Sequence, residues 1–62
     1  MPVIHIHMLE GRTEEQKRAL VRTITQAIVE IAKAPLEHTH VIFHEISRRD
    51  WGYGGTLLSE KE

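Results

Sequence analysis

Proline at position 2 carries the most chemical potential in this sequence. Aminopeptidases remove an initiator methionine that precedes a residue as small as proline, and the trimmed chain begins with a secondary amine. With Met1 attached, the same nitrogen is a tertiary amide of no useful basicity. A free α-amino group has an ordinary pKa of about 7.7–8, and burial beside cations lowers it toward neutrality, where a general base works best. The alternative is a strand-initiating proline at a sheet edge, with no N–H to leave unpaired. Arg12 can hold a carboxylate through two parallel hydrogen bonds and disfavour protonation of a nearby amine, or it can be a solvated surface side chain. Trp51, beside Gly52, can wall off an amine from water or fill a subunit interface.

Five histidines in 62 residues raise the question of metal binding. His5 and His7 share a strand face, as do His40 and His44. Yet there is no cysteine and Asp50 is the sole aspartate, so a closed site would need histidines from several segments or chains. The expectation is no metal, with the histidines lining solvent or surfaces between subunits, where they give an assembly some pH sensitivity between about pH 5 and 8. Phosphate-loop chemistry is excluded because Gly52, Gly54 and Gly55 follow no strand-to-helix pattern. A serine triad is excluded because Ser47 and Ser59 lack nucleophile-elbow glycines.

The elements that must position these residues read as strand, helix, strand, hairpin. Between Pro2 and Leu9, Ile4, Ile6 and Met8 fall on one strand face and Val3, His5, His7 and Leu9 on the other. Gly11 breaks the alternation. Thr13 with Gln16 forms a capping-box signature, and Glu14 and Glu15 suit the positive end of a helix. Leu20, Val21, Ile24, Ala27, Ile28, Ile31 and Ala32 then recur at helical spacing, and Pro35 stops the helix near Lys33. Thr39 to Ile46 alternates again, with Val41 and Phe43 opposite His40, Ile42, His44 and Ile46. The two strands should run parallel across a right-handed helical crossover. Gly52 to Gly55 suits a tight hairpin or bulge. The fold class is therefore α+β, a single β-α-β domain over residues 1–62 with a C-terminal hairpin.

Eight Lys and Arg residues against nine Asp and Glu give a net charge of −1, with both signs interspersed, which argues against an electrostatic nucleic-acid binder. No apolar run reaches the ~18 residues of a membrane span, and no signal-peptide pattern is present, so a soluble cytoplasmic protein is expected. A chain of this length without cysteine and with one Trp, one Tyr and one Phe has little from which to build a core. Partner chains should complete the sheet by oligomerisation.

The run from Met1-Pro2 through Ile4, Ile6 and Met8-Leu9-Glu10-Gly11-Arg12-Thr13 to Glu15-Gln16-Lys17 resembles the opening of the 4-oxalocrotonate tautomerase family. The likeness continues at Ala34-Pro35-Leu36, Val41-Ile42 and Glu45, and ends with an aromatic followed by Gly-x-Gly-Gly at Trp51 to Gly55. The resemblance implies a β-α-β protomer in a homo-oligomer, usually a hexamer built from dimers, with sites at subunit interfaces. It implies an isomerase that needs no cofactor, in which mature Pro2 moves a proton within a 2-hydroxydienoate or its 2-oxo isomers. On this likeness Arg12 binds a substrate carboxylate, Trp51 stands where the family usually has phenylalanine, and Leu9 and Tyr53 match apolar pocket positions. His40 occupies the place of a second family arginine, contributed from another subunit, that grips the 2-oxo acid end and polarises its carbonyl, and Arg48 or Arg49 of a neighbouring chain is a candidate substitute for the lost charge. Two other readings stay open: a family member acting on other electrophiles or monocarboxylates, and a non-enzymatic histidine-rich oligomer that binds metal or protein.

Overall fold

Val3–Leu9 forms strand β1, Glu14–Ala32 helix α1 and His40–Ile46 strand β2. This computed structural model describes residues 1–61; Glu62, the last residue of the expected domain, lies outside them. β1 and β2 pair in parallel, with Val3 opposite His40, Ile6 opposite Phe43 and Leu9 opposite Ile46. His40 N–H donates to Pro2 O at 3.0 Å at one end of the ladder, and Glu10 N–H to Ile46 O at 3.0 Å at the other. β2 starts one residue later than the alternation predicts. Thr39 is drawn out of the ladder because its N–H donates to Leu36 O at 3.3 Å and its hydroxyl to Pro35 O at 2.8 Å, closing a 3₁₀ turn over Leu36–His38.

α1 begins as the sequence predicts. Gln16 N–H donates to Thr13 Oγ1 at 3.1 Å and Thr13 N–H to Gln16 Oε1 at 2.9 Å, a complete capping box. It ends at Ala32 because Lys33 turns left-handed, with φ 60°. Leu20, Val21, Ile24 and Ile28 are half-buried, as expected. Ile31 and Ala32 are not, although at about 100° per residue Ile31 points the same way as Leu20 and Ala32 lies beside Ile28. Ile31 is 82% exposed, and Ala27, at the edge of the stripe, is exposed too. Lys17 reaches from the first turns of α1 to Glu45 of β2 at 2.8 Å, tying helix to strand.

Because register partners in a parallel pair share a face, the sheet has a helix-side face of Ile4, Ile6, Met8, Val41, Phe43 and Glu45. Its other face is made of Val3, His5, His7, Leu9, His40, Ile42, His44 and Ile46, and among the described residues no helix is packed upon it.

Beyond β2, Arg48–Asp50 makes a 3₁₀ turn capped by Ser47, and Gly52–Tyr53 (β3) pairs antiparallel with Thr56–Leu57 (β4). Gly54 and Gly55 take φ of 62° and 84°, the positive pair that matches a two-residue hairpin to strand twist. This arm closes on itself. Leu58 N–H donates to Trp51 O at 2.8 Å, the Arg48 guanidinium to Leu58 O at 2.9 Å, and Lys61 Nζ lies 3.4 Å from the centre of the Tyr53 ring.

No described residue is buried. The radius of gyration is 14.8 Å and the molecule measures 42 × 24 × 14 Å, whereas a compact domain of this length would have a radius near 10.5 Å. Its surface of 4915 Å² exceeds the roughly 4100 Å² of a folded monomer of this mass by about 800 Å².

Candidate active site

The residues with chemical potential fall into two groups at opposite ends of the β1–β2 ladder. At the amino end, the His40 N–H holds the Pro2 carbonyl, which fixes the proline backbone and leaves its nitrogen outside the ladder. Met1 is 77% exposed and precedes β1. Its removal would disturb no strand pairing.

At the carboxyl end, Leu9 closes β1 and Gly11, with φ 124°, turns the chain toward the helix. That turn puts Arg12 on the surface, where its guanidinium leans back on Leu9 O at 3.4 Å. Such a contact is long and leaves most of the guanidinium donors available. Trp51 and Tyr53 follow the carboxyl end of β2, Trp51 half-buried and Tyr53 58% exposed. Between Pro2 and Leu9 a strand rises about 23 Å. One chain therefore brings Pro2 to His40, and Arg12 to Leu9, but not the two groups to each other.

The two arginines considered as substitutes for the missing charge differ. Arg48 donates from one guanidinium nitrogen to Leu58 O at 2.9 Å, whereas the Arg49 side chain has no hydrogen bond or ion pair among the described residues. A surface depression of about 450 Å³ lies elsewhere, between α1 and Leu36, walled by Val21, Thr25 and Val29. None of the expected site residues lines it.

Sequence reasoning placed two histidines on each strand but not their meeting. His5 Nδ1 lies 2.8 Å from His44 Nε2, and the His7 ring stacks on that of His44 with centroids 4.5 Å apart. Only the register of β1 against β2 brings these rings together; the period-two alternation carried half of the signal. No group of three or more His, Asp or Glu side chains suited to a metal ion occurs among the described residues.

Comparison with known proteins agrees with this fold. Residues 2–61 match the family described as tautomerase enzyme. A 2-hydroxymuconate tautomerase from Comamonas testosteroni is 42% identical over 60 residues, covering 97% of this chain and 95% of that one. The crystal structure of a 4-oxalocrotonate tautomerase homologue superposes with a TM-score of 0.93 at 42% identity, covering 100% of this chain and 98% of that one. A heterohexamer 4-oxalocrotonate tautomerase from Chloroflexus aurantiacus gives 0.89 at 34% identity, with 100% of both chains covered. The β-α-β architecture, the proline at the start of the matched segment and relatives spanning nearly the whole chain agree, and the protein belongs to the tautomerase family as an isomerase of the 4-oxalocrotonate tautomerase type.

Proposed function

We propose that the mature chain begins at Pro2, acts as a single tautomerase domain in the cytoplasm, and interconverts 2-hydroxydienoates and 2-oxoenoates of the 2-hydroxymuconate type. The observation that carries this reading is the family match beginning at Pro2, a residue whose backbone is pinned by His40 while its nitrogen needs only the loss of an exposed methionine to become a base. The neutral amine takes the proton of the 2-hydroxyl group, electrons move into the conjugated chain, and the resulting ammonium returns the proton to carbon. Nothing is gained or lost, so the step needs no cofactor.

Arg12 binds a substrate carboxylate in this scheme, and Leu9, Trp51 and Tyr53 form the apolar wall. A span of about 23 Å between Pro2 and the Arg12 end of one strand is far longer than a six-carbon diacid. Each site therefore takes Pro2 from one protomer and Arg12 from another, in a homo-oligomer that we place as a hexamer built as a trimer of dimers. The surface excess and the absence of buried residues support that assembly, as does the hexameric relative. His40, held next to Pro2, offers a hydrogen bond in place of a permanent charge. Stabilisation of the dienolate is weaker in consequence, since electrostatic terms of this kind are often worth ~3–4 kcal/mol.

The test combines the intact mass of natively expressed protein with its rate of 2-hydroxymuconate ketonisation against pH. A chain starting at Pro2 should show activity that rises with pH as the amine loses its proton, and Pro2→Ala should cost roughly 10²–10⁴-fold, the range of general acid–base catalysis. A processed chain with no activity on this substrate would shift the reading to monocarboxylates or other electrophiles. Retention of Met1 would remove the base and end the proposal.

A further inference from the structure

The hairpin arm ends in a cation that the proposed chemistry does not use. After β4, Leu58–Glu60 makes a 3₁₀ turn, and Lys61 N–H donates to Leu58 O at 3.0 Å. That turn brings Lys61 back to β3, where its Nζ stands 3.4 Å from the centre of the Tyr53 ring, over one face of it. An ammonium at this distance makes a cation–π contact. No carboxylate among the described residues pairs with it. The adjacent acid is engaged elsewhere, since Glu60 Oε1 accepts from Leu57 N–H at 3.2 Å. Lys61 is half-buried while Tyr53 is 58% exposed, so the ring is open on the side that the lysine does not cover.

We propose that Lys61 is a positioning residue for the isomerisation: it holds one face of the Tyr53 ring and makes the other face a wall suited to an anionic, conjugated substrate. This deepens the proposed function and rests on it, since there Tyr53 walls the site and the substrate chain is a dienolate between the two proton transfers. The face of an aromatic ring carries negative potential, so a bare Tyr53 face repels such an anion. An ammonium on the opposite face draws the ring's electrons toward itself and offsets that repulsion. Tyr53 then serves as a wall for charge as well as for apolar surface.

The timing of the charge decides which kinetic constant responds. The conjugated chain is uncharged until the 2-hydroxyl proton leaves, whereas the carboxylates at its ends are charged throughout. An ammonium behind the ring therefore acts most on the state in which charge spreads along the chain. Interactions that strengthen between the ground state and the transition state raise kcat and leave KM little changed. The contact also fixes an exposed side chain before substrate arrives, which lowers the cost of ordering it on binding.

Steady-state ketonisation of 2-hydroxymuconate by the processed protein tests this, with each variant first matched to wild type in intact mass and oligomer size. Lys61→Met keeps the stem and the backbone hydrogen bond but loses the charge. Its kcat should fall roughly 3- to 10-fold, within the weight of a cation–π contact, while KM moves by less than about twofold. Lys61→Arg should restore most of the lost rate, because a guanidinium also stacks on a ring. Lys61→Met should cost nothing further in a Tyr53→Leu or Tyr53→Ile protein, and its full cost in a Tyr53→Phe protein, which keeps the ring. An unchanged kcat in Lys61→Met, no rescue by arginine, or an equal loss with and without the ring overturns the inference and leaves the proposed function standing. A raised KM with kcat unchanged also overturns it, by assigning the ammonium to a substrate carboxylate. A processed wild type inactive on 2-hydroxymuconate defeats the proposed function itself, and the role of Lys61 falls with it.

Discussion

At the amino end of the β1–β2 ladder stand Pro2 and His40; at the carboxyl end stand Leu9, Arg12, Trp51 and Tyr53. The first end offers the proposed base and a histidine, their backbones joined by a hydrogen bond. The second offers a guanidinium on a glycine turn and aromatic side chains at the root of a hairpin arm. On the proposed function neither end is a site alone, because a base without a carboxylate anchor cannot orient a diacid and an anchor without a base moves no proton. A parallel strand pair holds its ends apart, so the contrast teaches that the proposed function needs a catalytic unit larger than one chain.

Mixing subunits is the sharpest way to break that comparison. Pro2→Ala and Arg12→Ala proteins, each assayed far below KM, should be nearly inactive, yet co-refolding them one to one should restore about a quarter of wild-type sites if every site spans an interface between symmetric copies. No recovery in correctly sized oligomers would put both residues in one chain's site and contradict the separation seen here. Next in size, Arg12→Ala should raise KM for a dicarboxylate roughly 10- to 100-fold, from the ~1.5–3 kcal/mol of hydrogen bonds to a charged group. KM for a monocarboxylate bound at the other end should move much less, and equal effects on both would deny Arg12 its role.

At the amino end, His40→Arg should raise turnover of the dicarboxylate by roughly 3- to 10-fold, below the ~10²–10³ of a fully preorganised donor. An unchanged rate in steady-state assays would mean that another cation, with Arg48 and Arg49 of a neighbouring chain the candidates, already supplies the charge. The smallest effect is on stability. Thr13→Ala removes the capping box that starts α1 directly after Arg12, and should cost about 1 kcal/mol in urea unfolding at fixed protomer concentration.

Much of this was legible in the chain itself. Local rules decide caps, turns and alternation, so Thr13 with Gln16, the Gly54–Gly55 turn and the two strand faces could all be read from nearest neighbours in sequence. The helix stripe was legible in direction but not in extent. Ile31 and Ala32 obey the helical period and are still exposed, because periodicity sets which way a side chain points and not what stands opposite it. The different surroundings of Arg48 and Arg49 were equally closed to sequence, since they depend on the hairpin folding back to bring Leu58 O to one guanidinium.

The sequence by itself determined the candidate base, the candidate anchor and the family pattern that links them, because these reside in residue types and short spacings. Only the tertiary structure decided which residues meet. Pairing Val3 with His40 set the register of all seven rungs, and that register put Pro2 beside His40, Arg12 at the far end and three imidazoles in one stack. The physical reason is that strand pairing is a long-range choice, fixed by hydrogen bonds between segments 37 positions apart, and no local signal in either segment specifies its partner's offset.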